Sequence, residues 1–406
     1  MSEFIESGHA ASPTGWRAAT AACGIKYAGR DDLALLVSDT PASAAAIFTT
    51  NKVKAAPVRY DMALIQRNAG GLRAVTINAG NANACTGPAG DAAVLAMARA
   101  TEQALGLEPE SVFVMSTGTI GVPMPVEKIT AGIAVAATRL SAEAGVAAAR
   151  AIMTTDTRPK HCAARVALPD GSLITIGGMA KGAGMIHPNM ATMLSVVTTD
   201  AAVHPALLDR ALRAAADRSF NSISIDGDTS TNDTLVVLAN GAAGAPAIVD
   251  AASPAFAAFQ AGLLAVCQRL AQAVVRDGEG ATRFVTITVR GAVSDADARL
   301  AAMTIARSPL VKTALYGADP NWGRVLCAIG YSGAEVEPDR VVLHFGGLRV
   351  LEGGLPLPFD ERAASDRLNV PEVEIDADLG LGTGEATVWT CDLGPDYITI
   401  NAEYRT

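Results

Sequence analysis

The chain has 406 residues and a formal net charge of −9; 50% of its residues are hydrophobic and 18% are charged. This composition supplies a buried core and excludes a disordered chain, which needs high charge and low hydrophobicity. The net negative charge disfavours binding to nucleic acid or to an anionic membrane surface. Apolar residues are interspersed with charges instead of forming the roughly 18-residue run of a membrane span.

Neither the amino terminus nor the cysteines indicate an exported protein. Residues 1–6 (MSEFIE) are acidic and lack the basic and apolar segments of a signal peptide. The six cysteines and five histidines are scattered, without the spacing of a zinc site or a disulfide framework. The sequence therefore predicts a cytoplasmic protein with reduced thiols and no protein-bound metal.

Strand and helix patterns alternate along the chain, which is typical of an α/β or α+β architecture. Residues 42–48 and 74–77 are apolar and predict buried strands, and the alanine-rich residues 91–105 predict a helix. Ser141 is a candidate N-cap for a helix that continues to residue 153. The amino-terminal half is thus expected to contain both kinds of element.

The clearest predicted helix lies between Ser253 and Arg276. Ser253 is the expected N-cap, Pro254 occupies the first turn, and apolar residues repeat at helical spacing. Gly278 is expected to supply the left-handed residue that often follows the end of a helix.

The composition changes directly after this helix. Residues 284–289 (FVTITV) alternate as in a strand, so we expect a domain boundary that separates residues 1–282 from residues 283–406. Residues 386–390 and 397–400 are also strand-like, almost to the last residue. A terminus that is ordered to its end usually docks against another part of the protein.

Two segments that contain glycines and hydroxyl side chains are candidates for a catalytic loop. Glycines in residues 181–194 (KGAGMIHPNMATML) allow a substrate to approach closely, or the segment simply connects to an apolar helix. Residues 116–121 (STGTIG) follow an apolar run and either present a hydroxyl and N–H groups to an oxyanion or form an ordinary turn. The residues alone leave these alternatives open.

Two further segments are polar. Residues 78–85 (NAGNANAC) are rich in amides, which either bind a ligand or form Asx turns. Residues 226–233 (DGDTSTND) resemble part of a calcium loop but lack the full ligand order and the distal Glu, which disfavours calcium.

Together, these motifs resemble the ornithine acetyltransferase family, the bifunctional glutamate N-acetyltransferases of arginine biosynthesis. The matching segments are FTTNKVKAAP (48–57), NAGNAN (78–83), STG (116–118), MTTDT (153–157), KGAGMIHPNMATML (181–194), DGDTSTND (226–233), DGEGAT (277–282), GADPNWGR (317–324) and INAEYRT (400–406). One such segment is a weak signal, whereas many in the right order over the whole chain are specific. Trp16 stands where the family has Phe, which is a conservative aromatic exchange.

The resemblance implies a precursor that cuts itself between Ala191 and Thr192. In this family the threonine hydroxyl attacks the preceding carbonyl, and hydrolysis of the resulting ester frees a new amino terminus. A threonine hydroxyl is a weak nucleophile that needs a base. The freed α-amine, with an ordinary pKa of about 7.7–8.0, is suited to that role near neutral pH. The expected products are an α chain of residues 1–191 and a β chain of residues 192–406.

The resemblance also implies the site residues. The Thr117 hydroxyl and the Gly118 N–H are expected to form the oxyanion hole for cleavage and transfer. Lys181 and Glu279 carry opposite charges, which suits a zwitterionic amino acid, although their individual roles stay open. His187 is interpreted as a loop residue and not as the base. The expected substrate-binding residues are Thr155, Lys181, Thr192, Glu279, Asn401 and Thr406.

The implied reaction is a ping-pong acetyl transfer. N-acetylornithine acetylates Thr192, ornithine leaves, and glutamate takes up the acetyl group to give N-acetylglutamate. No metal or bound cofactor is implied, and acetyl-CoA is a second donor if the enzyme is bifunctional. One alternative is a self-processing amidase or aminopeptidase of the related superfamily, which passes the acyl group to water. A second alternative is a non-catalytic amino-acid-binding protein.

The family fold is α+β, a four-layer α-β-β-α sandwich similar in design to N-terminal-nucleophile hydrolases but of distinct connectivity. A smaller carboxyl-terminal α+β domain follows it. The resemblance thus implies a catalytic domain of residues 1–282 and a second domain of residues 283–406. The α and β chains are expected to pair into an (αβ)₂ heterotetramer.

Overall fold

The computed structural model describes residues 2–187 and 193–403. The strands are β1 (Ser2–Phe4), β2 (Trp16–Ala21), β3 (Leu33–Phe48), β4 (Leu72–Asn81), β5 (Val112–Thr119), β6 (Lys160–Ala167), β7 (Leu173–Lys181), β8 (Leu194–Thr199), β9 (Ile223–Ser224), β10 (Thr234–Ala239), β11 (Phe284–Ala292), β12 (Val342–Phe345), β13 (Leu348–Glu352), β14 (Leu355–Pro356), β15 (Glu372–Asp378) and β16 (Gly384–Cys391). The α-helices are α1 (Ala56–Arg67), α2 (Gly87–Leu105), α3 (Val126–Ala137), α4 (Gly145–Ala151), α5 (Pro205–Asp217), α6 (Pro254–Arg276), α7 (Asp295–Arg307), α8 (Pro309–Tyr316), α9 (Trp322–Gly330), α10 (Glu361–Leu368) and α11 (Pro395–Glu403).

The larger sheet is mixed and has two halves that share β3. Its order is β1-β6-β7-β8-β10-β3-β4-β5, and β2 also pairs with β3. The first part of β3 pairs with β2 and β4, and its last part pairs with β10. The pairing of β3 with β4 shifts between Val37 and Ala42, a stretch that contains Pro41. Proline has no N–H for the ladder, so regular pairing is interrupted there.

Three apolar clusters separate four layers of this part of the fold. One lies between helices α5 and α6 and the half with β6, β7, β8 and β10, and it includes Phe259 and Ile176. The second lies between the two halves of the sheet and includes Phe113 and Val196. The third lies between the half with β4 and β5 and helices α2 and α3, and it includes Met97. The predicted α-β-β-α layering is therefore confirmed.

The second sheet is also mixed and has its own apolar core. Its order is β14-β13-β12-β15-β11-β16-β9, and α7, α8 and α9 contribute to its core. The predicted strand at residues 284–289 is confirmed as part of β11. Strand β9 precedes residue 282 yet pairs with β16, and Trp389 of β16 packs in the core beneath α6. The two parts are thus interlocked, and the division at residue 282 stays a prediction.

The predicted long helix is confirmed as α6. Ser253 Oγ accepts a 3.1 Å hydrogen bond from the N–H of Phe256, which satisfies one of the free donors at the start of the helix. Within the described residues, α6 is the one helix long and apolar enough to cross a membrane. Its apolar side, which includes Leu263 and Val266, is buried against β6 and β7. It is therefore a core helix.

Several local predictions are wrong because tertiary contacts outweigh local pattern. Residues 397–400 lie in helix α11, not in a strand, and this helix packs against Gly280, where a Cβ would lie 2.5 Å from the backbone N of Tyr397. Gly280, not Gly278, adopts the left-handed conformation after α6, with φ of +68°. Ser141 forms an isolated bridge with Ala18 instead of capping α4. For residues 181–194, the alternative of a connection to an apolar helix is also wrong, because strand β8 begins at Leu194.

Candidate active site

A pocket of about 100 Å³ lies at the ends of β5 and β7, where helix α11 approaches the larger sheet. Six of the predicted site residues line it, and they come from five separate chain segments: Thr117, Gly118, Thr155, Lys181, Glu279 and Asn401. The remaining predicted residues, Ala191, Thr192 and Thr406, lie outside the described residues.

The described residues on both sides of residues 188–192 lie beside this pocket. Met185 lines the pocket on one side of the segment. On the other side, the N–H of Met193 donates a 2.9 Å hydrogen bond to Oδ1 of Asp233, whose neighbour Asn232 lines the pocket. The predicted cleavage position is therefore flanked on both sides by residues of the pocket or its immediate support.

The predicted oxyanion pair lies at the end of β5, which runs parallel to β4 and pairs Gly118 with Gly80. Gly118 has a φ of +129°, and a Cβ there would lie 2.6 Å from the backbone N of Asn81. Glycine is therefore required both by backbone conformation and by space. The Thr117 hydroxyl oxygen accepts a 3.3 Å hydrogen bond from Lys181 Nζ, which leaves its hydrogen available for a bound group.

Lys181 ends β7 and is buried, with 4% of its surface exposed. Its Nζ donates to Thr154 Oγ1 at 2.7 Å and to Thr117 Oγ1 at 3.3 Å. Burial lowers the pKa of Lys181 and Lys160 acts in the same direction, whereas the carboxylate of Asp156 opposes both. The pocket thus holds a desolvated amine next to the oxyanion pair.

A cluster of buried charged side chains lies next to Lys181. Lys160 Nζ lies 2.6 Å from Asp156 Oδ1 and 2.5 Å from Asp277 Oδ2, and all three side chains are almost fully buried. Asp156 Oδ1 also accepts the N–H of Gly182 at 2.7 Å. Burial alone would raise the pKa of Asp156, but Lys181 and Lys160 outweigh it and hold this pKa at about 2. The cluster joins β6, the end of β7 and the end of α6.

Glu279 supplies the negative charge of the pocket. Its backbone N–H donates to the carbonyl of Ala183 at 2.8 Å, and its Oε2 accepts a 2.8 Å hydrogen bond from Asn401 Nδ2. The carboxylate packs directly on Gly184, where a Cβ would lie 2.5 Å from Glu279 Cδ. Glycine at 184 therefore makes room for the carboxylate.

The amide-rich segment 78–85 and His187 support the fold beside the pocket, and Ala82 and Asn232 of the two polar segments also line it. Asn81 Oδ1 accepts the N–H of Asn83 at 2.8 Å. The amide-rich segment thus forms an Asx turn, which is one of the two possibilities predicted for it. His187 contacts Ser224 and Arg307 and does not line the pocket. Burial, followed by Arg307, lowers the pKa of His187 to about 4. Within the described residues, no group of His, Cys, Asp or Glu side chains could hold a metal ion.

Thr154 lines the pocket, and Asp156 supports it by accepting the N–H of Gly182. Neither residue was predicted from the sequence. Both belong to the matched segment MTTDT, so this motif was the available signal. Its threonine hydroxyl and carboxylate contact Lys181 and Lys160, which no spacing in the sequence indicates.

Residues 17–406 match the ArgJ family. The chain is 53% identical to the arginine biosynthesis bifunctional protein ArgJ of Symbiobacterium thermophilum, over 98% of this chain and 99% of that relative. The chain belongs to the ArgJ family. The motif-based prediction of an ornithine acetyltransferase is thus confirmed, and this ArgJ-family chain is an acyltransferase of arginine biosynthesis.

Other relatives of the ArgJ-family chain include a mitochondrial ArgJ of Aspergillus terreus, 50% identical over 92% of this chain and 87% of that relative. Among solved structures, an ArgJ of Bacillus halodurans is 41% identical with a TM-score of 0.49, over 51% of this chain and 97% of that chain. An ornithine acetyltransferase of Mycobacterium tuberculosis, complexed with ornithine, is 40% identical with a TM-score of 0.43, over 48% of this chain and 100% of that chain.

Proposed function

We propose that this chain moves the acetyl group of N-acetylornithine to glutamate through an acetyl ester on Thr192. The observation that carries the proposal is the convergence of Thr117, Gly118, Lys181 and Glu279 in one pocket. This pocket combines donors for an oxyanion with one cationic and one anionic side chain. Those are the groups that an acetylated amino acid needs for binding and for acyl transfer.

The first proposed step is self-cleavage. Thr192 Oγ attacks the carbonyl carbon of Ala191, and the acyl group moves from the Thr192 nitrogen to its oxygen. Water then hydrolyses the ester, which gives the carboxylate of Ala191 and a free α-amine on Thr192. No other reagent is needed. Lys181 of β7 pairs with Leu194 of β8, so the two chains remain hydrogen-bonded in one sheet after the cut.

The second proposed step is acetyl transfer. The α-amine of Thr192 takes up the hydroxyl proton as Oγ attacks the acetyl carbonyl. The carbon–nitrogen bond of acetylornithine then breaks, and the ornithine nitrogen receives that proton. Glutamate attacks the acetyl ester by the reverse sequence. Thr117 and Gly118 donate hydrogen bonds to the oxyanion in each step, and one such donor is typically worth about 10²–10³ in rate.

The charges of the pocket support one orientation of acetylornithine in the proposed reaction. Its α-carboxylate is attached next to the acetylated nitrogen, so it lies near the oxyanion pair and meets Lys181, which contacts Thr117. Its side-chain ammonium lies further away and meets Glu279. The Asn401 amide nitrogen donates to Glu279 Oε2 and to the carbonyl of Tyr397, so its oxygen serves as the acceptor for the ammonium of ornithine.

The assembly and the second donor are also part of the proposal. Residues 1–191 and 192–406 form the α and β chains of an (αβ)₂ heterotetramer in the cytoplasm. The bacterial relatives are named bifunctional proteins, which supports acetyl-CoA as an additional donor for the acetylation of glutamate.

Mass spectrometry under denaturing conditions tests the cleavage. The expected masses are those of chains of 191 and 215 residues, with Thr-Met-Leu at the start of the second. Thr192→Ala is expected to remain uncut and inactive, whereas Thr192→Ser is expected to retain part of both reactions. An uncut but active wild-type protein would contradict the proposal.

Acetyl transfer is tested with the donors supplied one at a time. With acetylornithine alone, mass spectrometry is expected to locate an acetyl group on Thr192. Addition of glutamate is then expected to remove this group and to yield N-acetylglutamate. Release of acetate that glutamate does not affect would instead indicate an amidase. Product formed from acetyl-CoA and glutamate would establish the second activity.

A further inference from the structure

Asn232 lines the pocket, yet it is buried, with 6% of its surface exposed. It belongs to the segment DGDTSTND (226–233), a matched motif to which the proposed function gives no role. Its Nδ2 donates to the carbonyl of Ser116 at 2.8 Å and to the carbonyl of Ala82 at 2.6 Å. An amide nitrogen has two hydrogens, so both are used on the main chain. Such a side chain is suited to hold its neighbours in place and not to donate to a substrate.

The two carbonyls that Asn232 holds flank the predicted oxyanion pair. The carbonyl of Ser116 belongs to the peptide that leads into this pair. Ala82 uses its own N–H to donate to the carbonyl of Thr119 at 3.0 Å, directly after the pair. Asn232 thus fixes the chain on both sides of the oxyanion pair, directly on one side and through Ala82 on the other.

The regular pairing of β4 with β5 ends at the oxyanion pair. It places Gly118 opposite Gly80 and then loses its register at Asn81. Gly118 has a φ of +129°, which lies outside the range of a regular strand. The sheet therefore brings the pair to the pocket, and hydrogen bonds from outside the ladder are needed to fix its donors. Fixed donors matter, because oxyanion stabilisation depends on groups that are oriented before the reaction.

The orientation of the Asn232 amide is itself fixed by the residues beside it. Its Oδ1 accepts a 2.6 Å hydrogen bond from Thr231 Oγ1, and its backbone N–H donates to Ser230 Oγ at 3.2 Å. The carbonyl of Thr231 accepts the N–H of Ala55 at 2.9 Å, which ties this segment to the start of α1. With a hydroxyl donor on one side and two carbonyls on the other, the amide has one orientation that satisfies all its contacts.

We infer that Asn232 is a positioning residue of the oxyanion pair: its amide holds the main chain before and after Thr117 and Gly118, so that their donors are in place before the reaction. The inference rests on the proposed function, because it requires that this pair stabilises the oxyanion. Asn232 itself touches neither the substrate nor the reacting atoms. Its loss should therefore slow self-cleavage and acetyl transfer, which both pass through an oxyanion, and leave KM unchanged.

Asn240 offers a matched control. It is also buried, and its Nδ2 also donates two hydrogen bonds, to the carbonyl of Thr14 at 3.1 Å and to Ser38 Oγ at 3.2 Å. It directly follows β10 and does not line the pocket. Asn240→Asp therefore repeats the chemical change of Asn232→Asp, the isosteric loss of an amide that donates twice, without touching the oxyanion pair.

The first test compares these two variants in the rate of self-cleavage and in kcat per cleaved protomer. In Asn232→Asp we expect both rates to fall at least about tenfold, part of the roughly 10²–10³-fold that one oxyanion donor contributes, with KM for acetylornithine unchanged. Asn240→Asp is expected to keep the wild-type rates. Wild-type rates in Asn232→Asp, or an equal loss in both variants, would overturn the inference.

A double-mutant cycle separates positioning of the pair from a general effect on the fold. Thr117→Ala removes one of the two donors that Asn232 is inferred to hold in place. In this background Asn232→Asp should lower kcat by a smaller factor than in the wild type, because the two residues act as a unit. Additive losses in the logarithm of kcat would show that Asn232 acts by another route.

A structure of the wild-type enzyme acetylated by acetylornithine provides a test that does not depend on the folding of a variant. We expect Asn232 Nδ2 to remain within about 3.2 Å of the carbonyls of Ser116 and Ala82. A hydrogen bond from Nδ2 to the acetyl oxygen would overturn the inference. In that case a cleaved enzyme with acetyl on Thr192 would still uphold the proposed function, whereas an uncut active enzyme would reject the proposed function itself.

Discussion

The side-chain amide of Asn401 donates a 2.8 Å hydrogen bond to Oε2 of Glu279 and thereby joins helix α11 to the segment that follows α6. Tyr397 holds the same helix, because its hydroxyl donates to Asp226 Oδ2 at 3.2 Å. Asp226 also accepts the N–H of Ile186 at 2.9 Å, just before the predicted cleavage position. Helix α11, Glu279 of the pocket and the described segment that ends at residue 187 are therefore joined by hydrogen bonds.

Removal of the negative charge of Glu279 should weaken substrate binding. In Glu279→Gln we expect KM for acetylornithine to rise about 10-fold to 100-fold, because a hydrogen bond to a charged group contributes about 1.5–3 kcal/mol. Self-cleavage should keep its wild-type rate, since it involves no ornithine ammonium. Steady-state kinetics on cleaved protein checks this, with the exposed Glu127→Gln as control. An unchanged KM would remove Glu279 from the binding site.

Gly118 and Gly121 form a matched pair for the oxyanion site. Both have positive φ, but a Cβ at Gly118 would lie 2.6 Å from Asn81 N, whereas a Cβ at Gly121 meets nothing within 4 Å. Gly118→Ala should therefore displace the N–H and slow cleavage and transfer by about 10²-fold or more. Gly121→Ala should affect only stability. Gel electrophoresis measures the rate of cleavage. Equal rates in the two variants would contradict the assignment of Gly118 to the oxyanion site.

Gly184 should affect the KM for acetylornithine only through its contact with Glu279. The added methyl group of Gly184→Ala would displace the Glu279 carboxylate, which lies 2.5 Å from the expected Cβ position, so KM for acetylornithine should rise. In a Glu279→Ala background the same substitution should have almost no further effect, because neighbouring residues couple non-additively. A double-mutant cycle on KM measures this coupling. Additive effects would show that Gly184 acts by another route.

The buried cluster around Lys160 should make the protein sensitive to acid. The folded-state pKa of Asp156 is about 2, below its ordinary value of 3.8, so its contribution to stability is complete above about pH 4 and is lost as the pH falls towards 2. Lys160→Met removes the buried cation between Asp156 and Asp277 and leaves Asp277 with Arg158, at 3.5 Å, as its remaining ion-pair partner. This loss should cost about 3–5 kcal/mol at pH 7. The loss should show in the midpoint of urea unfolding.

Arg17→Met is the control for this prediction, because it breaks the exposed Arg17–Asp39 ion pair. Such pairs contribute about 0–1 kcal/mol, so the midpoint should hardly move. If Lys160→Met destabilised the protein no more than Arg17→Met, the buried cluster would not have the role assigned to it.

Several elements could be predicted from the sequence because their signals are local. Ser253, Pro254 and the apolar repeat that follows define α6, since capping and helical spacing act within one segment. The alternation after Phe284 likewise indicates β11. The prediction for Tyr397 failed, because residues 397–400 have strand-forming side chains but adopt a helix that packs on Gly280. Local preference cannot include a neighbour more than a hundred residues away.

For the site, the ordered motifs were sufficient to indicate the family and to name Thr117, Lys181 and Glu279, because the chemical types of side chains are written in the sequence. Tertiary structure alone decided that these groups share a pocket. Parallel pairing of β4 with β5 places Thr117, and antiparallel pairing of β7 with β8 brings Lys181 beside Leu194, just after the predicted cleavage position. These contacts join residues far apart in the chain, so their geometry depends on sheet register and on packing that no single segment contains.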